Sequence, residues 1–288
     1  MEYGINNRLG LPSLNQALDT LLSAYQNNIR YFDTANSYGR AEEVLGNFIA
    51  KFKYKDIKVI SKLRPDALGK NNSKEDLYQA VKKEIVISLK NLKSEQLNGY
   101  LLHEPKYMYN QAVVAALKRC KKEGLIKNWG VSIYEASDAL FAAQKARADY
   151  IQIPYNIFDQ RLDHNAFFKL TKKNGIRVFA RSAFLQGLFF MDIDKLPSHL
   201  KEAKSYLLKF EQIVTKYHIG KAEAALLFVY LNNNIDHVII GVDSKAQLLQ
   251  NINILNKKIE FDQCRQELVK SFPQIDKTII FPSLWKKG

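Results

Sequence analysis

The chain has 288 residues, 47% of them hydrophobic and 25% charged, with a net charge of +14; this suits one globular domain over 1–288, with a core large enough to need no disulfides. Its two cysteines, Cys120 and Cys264, form no CxxC pair and fit a reducing, cytoplasmic setting rather than a disulfide scaffold or a metal ribbon. The first residues carry no signal-peptide core and no run approaches membrane-spanning length, which argues against secretion and against a membrane partner.

The lysines are scattered (Lys82, Lys83, Lys121, Lys122, Lys172, Lys173, Lys286, Lys287), so the positive charge reads as a solvated surface and not as a nucleic-acid face. In chain order, Leu14, Leu18, Leu21, Leu22 and Tyr25 give a helix over 13–28, started by Pro12 and Ser13. The β-branched and aromatic run Ile29–Arg30–Tyr31–Phe32 then predicts a strand ending at Asp33. A turn through Ser37, Tyr38 and Gly39 leads into a helix over 41–53. Strand 58–63 carries Lys62 at its end. Helix 73–92 has Leu77, Val81, Ile85 and Leu89 on its apolar face, with Ser73 and Asp76 placed to cap it.

The alternation continues with strand 97–102 ending in His103, helix 110–123 stopped by Gly124, strand 129–133, helix 136–146, strand 150–154 and helix 165–174. Strand 177–180 precedes a long loop through Gln186 and Gly187. Helices 197–218 and 221–232 follow, then strand 237–240, helix 246–255 and helix 262–272. Strand–helix alternation without hairpins predicts a parallel sheet with right-handed crossovers. Asp33, Lys62, His103, Ser132, Gln152 and Ser182 all fall at the C-terminal ends of strands, where a (β/α)8 barrel keeps its chemistry. An open doubly wound sheet would show a glycine-rich phosphate loop, and neither GxGxxG nor GxxxxGK[ST] occurs. The fold class is therefore α/β, a TIM-type (β/α)8 barrel with seven recognisable strands and the first missing or truncated.

A barrel would bring Asp33, Tyr38, Lys62 and His103 together. Lys62 pairs with Asp33, and its ammonium lowers the Tyr38 phenol from its reference of about 10. One charge ~4 Å away contributes on the order of 4 kcal/mol at an effective dielectric near 20, before desolvation. Tyr38 could then donate a proton to a carbonyl oxygen that is becoming an alkoxide, with a neutral His103 holding that oxygen in place. Dispersed His164, His199, His218 and His237 give no metal site, and no GxSxG elbow supports a hydrolase.

The motifs FDTANSYG with EEVLG, ISK, LLHE, GVS, IQIPYN, RSAFLQG and VIIGVDSKAQLLQN occur in this order. Together they resemble the aldo-keto reductases, NAD(P)H-dependent oxidoreductases, over nearly the whole chain. By that resemblance Asp33, Tyr38, Lys62 and His103 match the catalytic four, and Ser132 and Gln152 match residues that hold the nicotinamide carboxamide. The loop 181–187, with Arg181, Ser182, Ala183, Leu185 and Gly187, matches the segment covering the nicotinamide and pyrophosphate. Residues 241–251, with Gly241, Ser244, Gln247, Gln250 and Asn251, match the segment for the adenosine end. The implied activity is reduction of an aldehyde or ketone, sugar-derived by one weak sign, to an alcohol, with NADPH as cofactor and NADH as the alternative.

The chain departs from the family pattern in four places. At the adenosine end Gly241 and Gln247 stand where many NADPH-specific members carry lysine and arginine for the 2′-phosphate, so NADPH is implied by the resemblance and not by these residues. Ile133 stands where the family often has asparagine, and Arg181 where many members stack an aromatic ring; a planar guanidinium stacks too. The chain starts just past the family's first strand, so an open barrel with unpaired edges, and with it low stability or edge pairing, is expected. A pocket lined by Arg64, Tyr107, Phe158 and Phe184 is expected at the barrel mouth, with Arg64, Asn156 and Gln186 suited to a polyhydroxylated or anionic substrate. The runner-up function is an inactive nucleotide-binding regulatory protein or a truncated remnant of the same family. Asn71–Asn72–Ser73 matches a glycosylation acceptor but lacks a secretion signal to support it.

Overall fold

The computed structural model describes residues 10–69 and 73–285. The chain's start and the Asn71–Asn72 pair lie outside the described residues, and with them the expectations of a truncated first strand and of a glycosylation acceptor. The chain divides into two compact units, one of Leu11–Ile153 with Lys169–Val178, the other containing Pro154–Phe168 and the chain from Phe179 onward. Among the described residues the strands are β1 (Tyr31–Asp33), β2 (Lys58–Leu63), β3 (Leu97–Leu102), β4 (Ile126–Ser132), β5 (Tyr150–Pro154), β6 (Arg177–Arg181) and β7 (His237–Val238). All seven overlap the stretches the sequence pattern places as strands, with β4 beginning three residues earlier than expected, at Ile126, and β7 ending two residues sooner, at Val238.

In the first unit β1 to β5 pair in parallel, each with the next in chain order. Helix α1 (Leu14–Gln26) precedes β1, and α2 (Ala41–Phe52), α3 (Lys74–Leu92) and α4 (Gln111–Lys122) connect β1 to β4 in turn. Ser13 and Gln16 close a reciprocal cap on α1, and Ser73 caps α3 by accepting from the Asp76 amide at 3.0 Å. Phe48, Val81, Ile85, Leu92, Leu117 and Cys120 are fully buried. The side chain of Glu42 on α2 is buried as well. It accepts 2.6 Å from Ser61 on β2 and 3.0 Å from Asn91 on α3, so a buried carboxylate is met by two donors instead of being left to its desolvation cost.

Gly46 on α2 lies against the backbone of α3. A Cβ built there would stand 2.2 Å from the Asn91 carbonyl oxygen and 2.8 Å from the backbone of Leu92. Backbone cannot yield as a flexible side chain can. Gly46→Ala should therefore cost about 1–3 kcal/mol by overpacking, although alanine is the better helix former. Urea unfolding of the two proteins checks this; an unchanged midpoint would show that the helices separate freely.

In the second unit β6 and β7 pair in parallel, Phe179 opposite His237 and Ala180 opposite Val238. Helices α7 (Ala203–Lys216), α8 (Lys221–Tyr230), α9 (Lys245–Asn256), α10 (Asp262–Ser271) and the short α11 (Lys277–Ile280) follow, after α5 (Ala136–Phe141) and α6 (Phe167–Asn174) earlier in the chain. Two helices differ from the sequence pattern. The stretch expected as one helix over 136–146 loosens into a wider π-type turn over Ala142–Ala146, where three small buried alanines make the packing. The stretch over 197–218 begins with a separate single turn at Ser198–Leu200, and its long helix starts only at Ala203.

Candidate active site

Strand register builds the site. Asp33 lies opposite Ile60 on β2, and Lys62 is two residues further along that strand. Side chains alternate along a strand, so Asp33, Ile60 and Lys62 share one face. Lys62 lies opposite Leu101, which puts His103, two residues on, over the same face. Leu101 lies opposite Gly130, two residues before Ser132, and Ser132 lies opposite Gln152. Five polar positions from five strands thus fall on one face by counting alone, all within the first unit.

The Lys62 ammonium, 1% exposed, meets Asp33 Oδ2 at 2.5 Å and donates to the Thr34 carbonyl at 2.9 Å. It lies 5.1 Å from the centre of the Tyr38 ring. A buried ammonium is costly unless an opposite charge meets it, and Asp33 is that partner. The Tyr38 and His103 rings meet edge to face with centroids 5.8 Å apart. Both side chains are half-buried. Ser37 Oγ is 3.4 Å from His103 Nδ1. On the other side of the carboxylate, Gln152 Nε2 donates to Asp33 Oδ1 at 2.8 Å, and Ser132 Oγ donates to Gln152 Oε1 at 3.3 Å. Gln152 and Ser132 are almost wholly buried.

The remaining sequence candidates lie in the second unit. Arg181 is half-buried, and its guanidinium donates to Ser182 Oγ at 3.3 Å. Ala183 and Leu185 are buried, so only their backbone is offered to a ligand. The loop is unusual in its backbone: Ser182, Leu185 and Gln186 have φ of 65°, 45° and 52°, and Gly187 has 93°. Left-handed residues other than glycine cost on the order of 1 kcal/mol each and gather at ligand clamps. Ser244 caps α9, accepting from the Gln247 amide at 3.3 Å, and Gln247 Oε1 accepts from the Asp243 amide at 2.8 Å. Asn251 is buried on that helix, while Gly241 and Gln250 are exposed.

Two expected lining residues belong elsewhere. Phe158 is 1% exposed and packs against Phe189, Phe210 and Phe272 in the core of the second unit. Asn156 is fully buried; its Oδ1 accepts the amides of Phe158 and Asp159, and its Nδ2 donates to the Ser182 carbonyl, so it shapes a turn. Arg64 is half-exposed beside Glu84 at 3.3 Å, and the Tyr107 hydroxyl donates to the Pro65 carbonyl at 2.7 Å. Ile133 is buried, and its amide continues the ladder to the Gln152 carbonyl. Burial pushes the thiols of Cys120 and Cys264 up to about 11, which makes neither a nucleophile. Among the described residues no group of three or more His, Cys, Asp or Glu side chains could hold a metal ion, and no helix is long and apolar enough to cross a membrane.

Comparison with known proteins decides the family. The sequence profile of the Aldo/keto reductase family matches residues 3–269. The chain belongs to the Aldo/keto reductase family. It is an oxidoreductase of that family, with the (β/α)8-type fold its strand and helix order leads one to expect. The chain is 24% identical over 269 residues to the NADH-specific methylglyoxal reductase of Escherichia coli (strain K12), covering 83% of this chain and 82% of that one. It is 27% identical over 272 residues to an uncharacterized oxidoreductase, YqkF, of Bacillus subtilis (strain 168), covering 87% of each. Among solved structures, the holo form of the aldo-keto reductase AKR11C1 from Bacillus halodurans aligns with a TM-score of 0.73 at 21% identity, over 92% of this chain and 91% of that chain. An aldo-keto reductase from Klebsiella pneumoniae in complex with NADPH aligns with a TM-score of 0.68 at 21% identity, over 92% and 87%. Of the polar groups around Lys62 and His103, the Thr34 carbonyl was not named from sequence and Ser37 was named only as a turn residue. Their place in the loop between Asp33 and Tyr38 was the available signal.

Proposed function

We propose that this oxidoreductase reduces a small aldehyde or ketone to an alcohol, with Tyr38 as the proton donor and a nicotinamide dinucleotide as cofactor. The observation that carries the reading is the buried Lys62–Asp33 pair beneath Tyr38, with the His103 ring edge-on to the phenol. The cofactor, when bound, supplies the hydride that adds to the carbonyl carbon. The chain's own residues handle the proton. Tyr38 gives its phenolic proton to the carbonyl oxygen, and the Lys62 ammonium stabilises the phenolate left behind. Asp33 holds that ammonium in place. His103 orients the carbonyl oxygen through its Nε2.

The residues present fit such a cofactor. Ser132 and Gln152 offer a hydroxyl and an amide on the face that carries Lys62, the donor and acceptor types a carboxamide requires. Arg181, Ser182, Ala183, Leu185 and Gly187 would cover the nicotinamide and pyrophosphate, and Gly241, Ser244, Gln247, Gln250 and Asn251 would meet the adenosine end. NADPH is the proposed cofactor, with NADH the alternative; the relative from Escherichia coli is named NADH-specific and the structure from Klebsiella pneumoniae holds NADPH. Methylglyoxal is the first substrate to test, because a relative is named for it. In this reading residues 1–288 are one aldo-keto reductase-like domain working in the cytoplasm, in keeping with two free buried thiols.

Titration with NADPH and NADH, followed by quenching of intrinsic fluorescence, tests the cofactor. Saturable quenching by either, with turnover of methylglyoxal or a simple aromatic aldehyde, is the expected result. A folded protein that binds neither would overturn the proposal. Binding without turnover of any carbonyl would favour a nucleotide-binding regulatory role.

A further inference from the structure

We infer that Gln152 is a positioning residue for the Asp33–Lys62 pair, a role distinct from holding the cofactor; the inference rests on the catalytic reading of Asp33 and Lys62 given above. A carboxylate only accepts hydrogen bonds, so the group that Gln152 turns toward Asp33 must be its NH2. That bond is 2.8 Å long and nearly dry, for Gln152 is 2% exposed. It takes Asp33 Oδ1, while the Lys62 ammonium takes Oδ2. The carboxylate is thus held from both oxygens, and its rotation about the Cβ–Cγ bond is fixed. Gln152 Oε1 accepts from Ser132 Oγ at 3.3 Å, and if the amide turned over the hydroxyl could still accept from its NH2 but the carboxylate could not donate to its oxygen, so Asp33 fixes the orientation. The charged groups around this carboxylate come from β2, through Lys62, with the half-buried Tyr38 and His103 on the loops beyond β1 and β3.

A holder of carboxamide alone and a positioner of Asp33 behave differently when Asp33 loses its charge. The test measures the single-turnover rate of NADPH oxidation by methylglyoxal, at saturating NADPH, in wild type, Gln152→Leu, Asp33→Asn and the double variant. The NADPH dissociation constant is measured alongside by fluorescence quenching. Loss of a hydrogen bond to a charged group should slow Gln152→Leu by about tenfold or more. In the Asp33→Asn background the same change should slow the reaction by less than about twofold, because Gln152 acts through Asp33. Ser132→Ala, which touches Gln152 but not Asp33, should alter NADPH binding more than the rate. Urea unfolding of the same four proteins gives a readout free of activity, in which the two single changes should be less than additive. Equal slowing of Gln152→Leu in both backgrounds, or additive unfolding midpoints, would overturn the inference. An Asp33→Asn variant as fast as wild type would instead overturn the catalytic reading beneath it, and the inference with it.

Discussion

Tyr38→Phe should lower kcat for carbonyl reduction by about a hundredfold or more, while NADPH binding stays within about twofold of wild type. The phenylalanine keeps the ring, its edge contact with His103 and its place 5.1 Å from the Lys62 ammonium. Only the hydroxyl is removed, so only a step that uses the hydroxyl is lost. General acid catalysis contributes about 10²- to 10⁴-fold, which sets the scale. Steady-state turnover of methylglyoxal and fluorescence titration with NADPH check the two halves separately. Retained turnover would assign the proton to another group. A parallel loss of NADPH binding would mean that the phenol shapes the cofactor cleft.

Lys62→Met should be destructive in a second way, through the fold. The ammonium is 1% exposed and its partner's side chain 14% exposed, so the methionine leaves the Asp33 carboxylate beside a dry thioether. Breaking a buried pair by removing one partner costs about 3–5 kcal/mol, a large share of the 5–15 kcal/mol that holds a typical domain together. The stranded carboxylate would keep only the Gln152 amide among the partners described above. Replacing both partners, Lys62→Met with Asp33→Leu, should restore most of that stability, since an apolar pair of similar volume has no uncompensated charge. The double variant should remain inactive. Urea unfolding midpoints of the three proteins, with turnover measured on each, separate the two effects. A single variant as stable as wild type would show that water reaches the pair.

The strands were legible in the sequence as apolar, β-branched runs alternating with helices, and six of the seven carry a polar residue at the C-terminal end. Asp33, Lys62 and His103 are costly to bury, and each interrupts an apolar run at its C-terminal end. The match of Lys62 to Asp33 was legible for the same reason, since a charge at a strand end needs its opposite on a neighbouring strand. Contacts that depend on register were not. Gln152 and Asp33 are 119 residues apart, and nothing local to either says that one amide meets that carboxylate. Phe158 reads as a lining residue from its place in a loop expected at the barrel mouth. Its ring instead fills a cluster with Phe189, Phe210 and Phe272, which only tertiary packing brings together. Asn156 read as a substrate hydrogen-bonder, but asparagine in a loop also bonds its own following amides, and here it does. The widened turn at Ala142–Ala146 had no sequence signal of its own, because alanine suits a regular helix better than any other residue.

The two compact units hold the sequence candidates separately, and under the proposed function that matters for how such a protein can change. Asp33, Tyr38, Lys62, His103, Ser132 and Gln152 all belong to the unit of Leu11–Ile153, whereas Gly241, Ser244, Gln247, Gln250 and Asn251 belong to the other. A lineage under pressure to exchange one dinucleotide for another could therefore substitute along α9 and the segment before it. The groups proposed to handle the proton are specified by codons outside that segment, so under this proposal selection on cofactor currency need not disturb them. An engineer seeking the same exchange would confine a library to 241–251 and leave the strands alone.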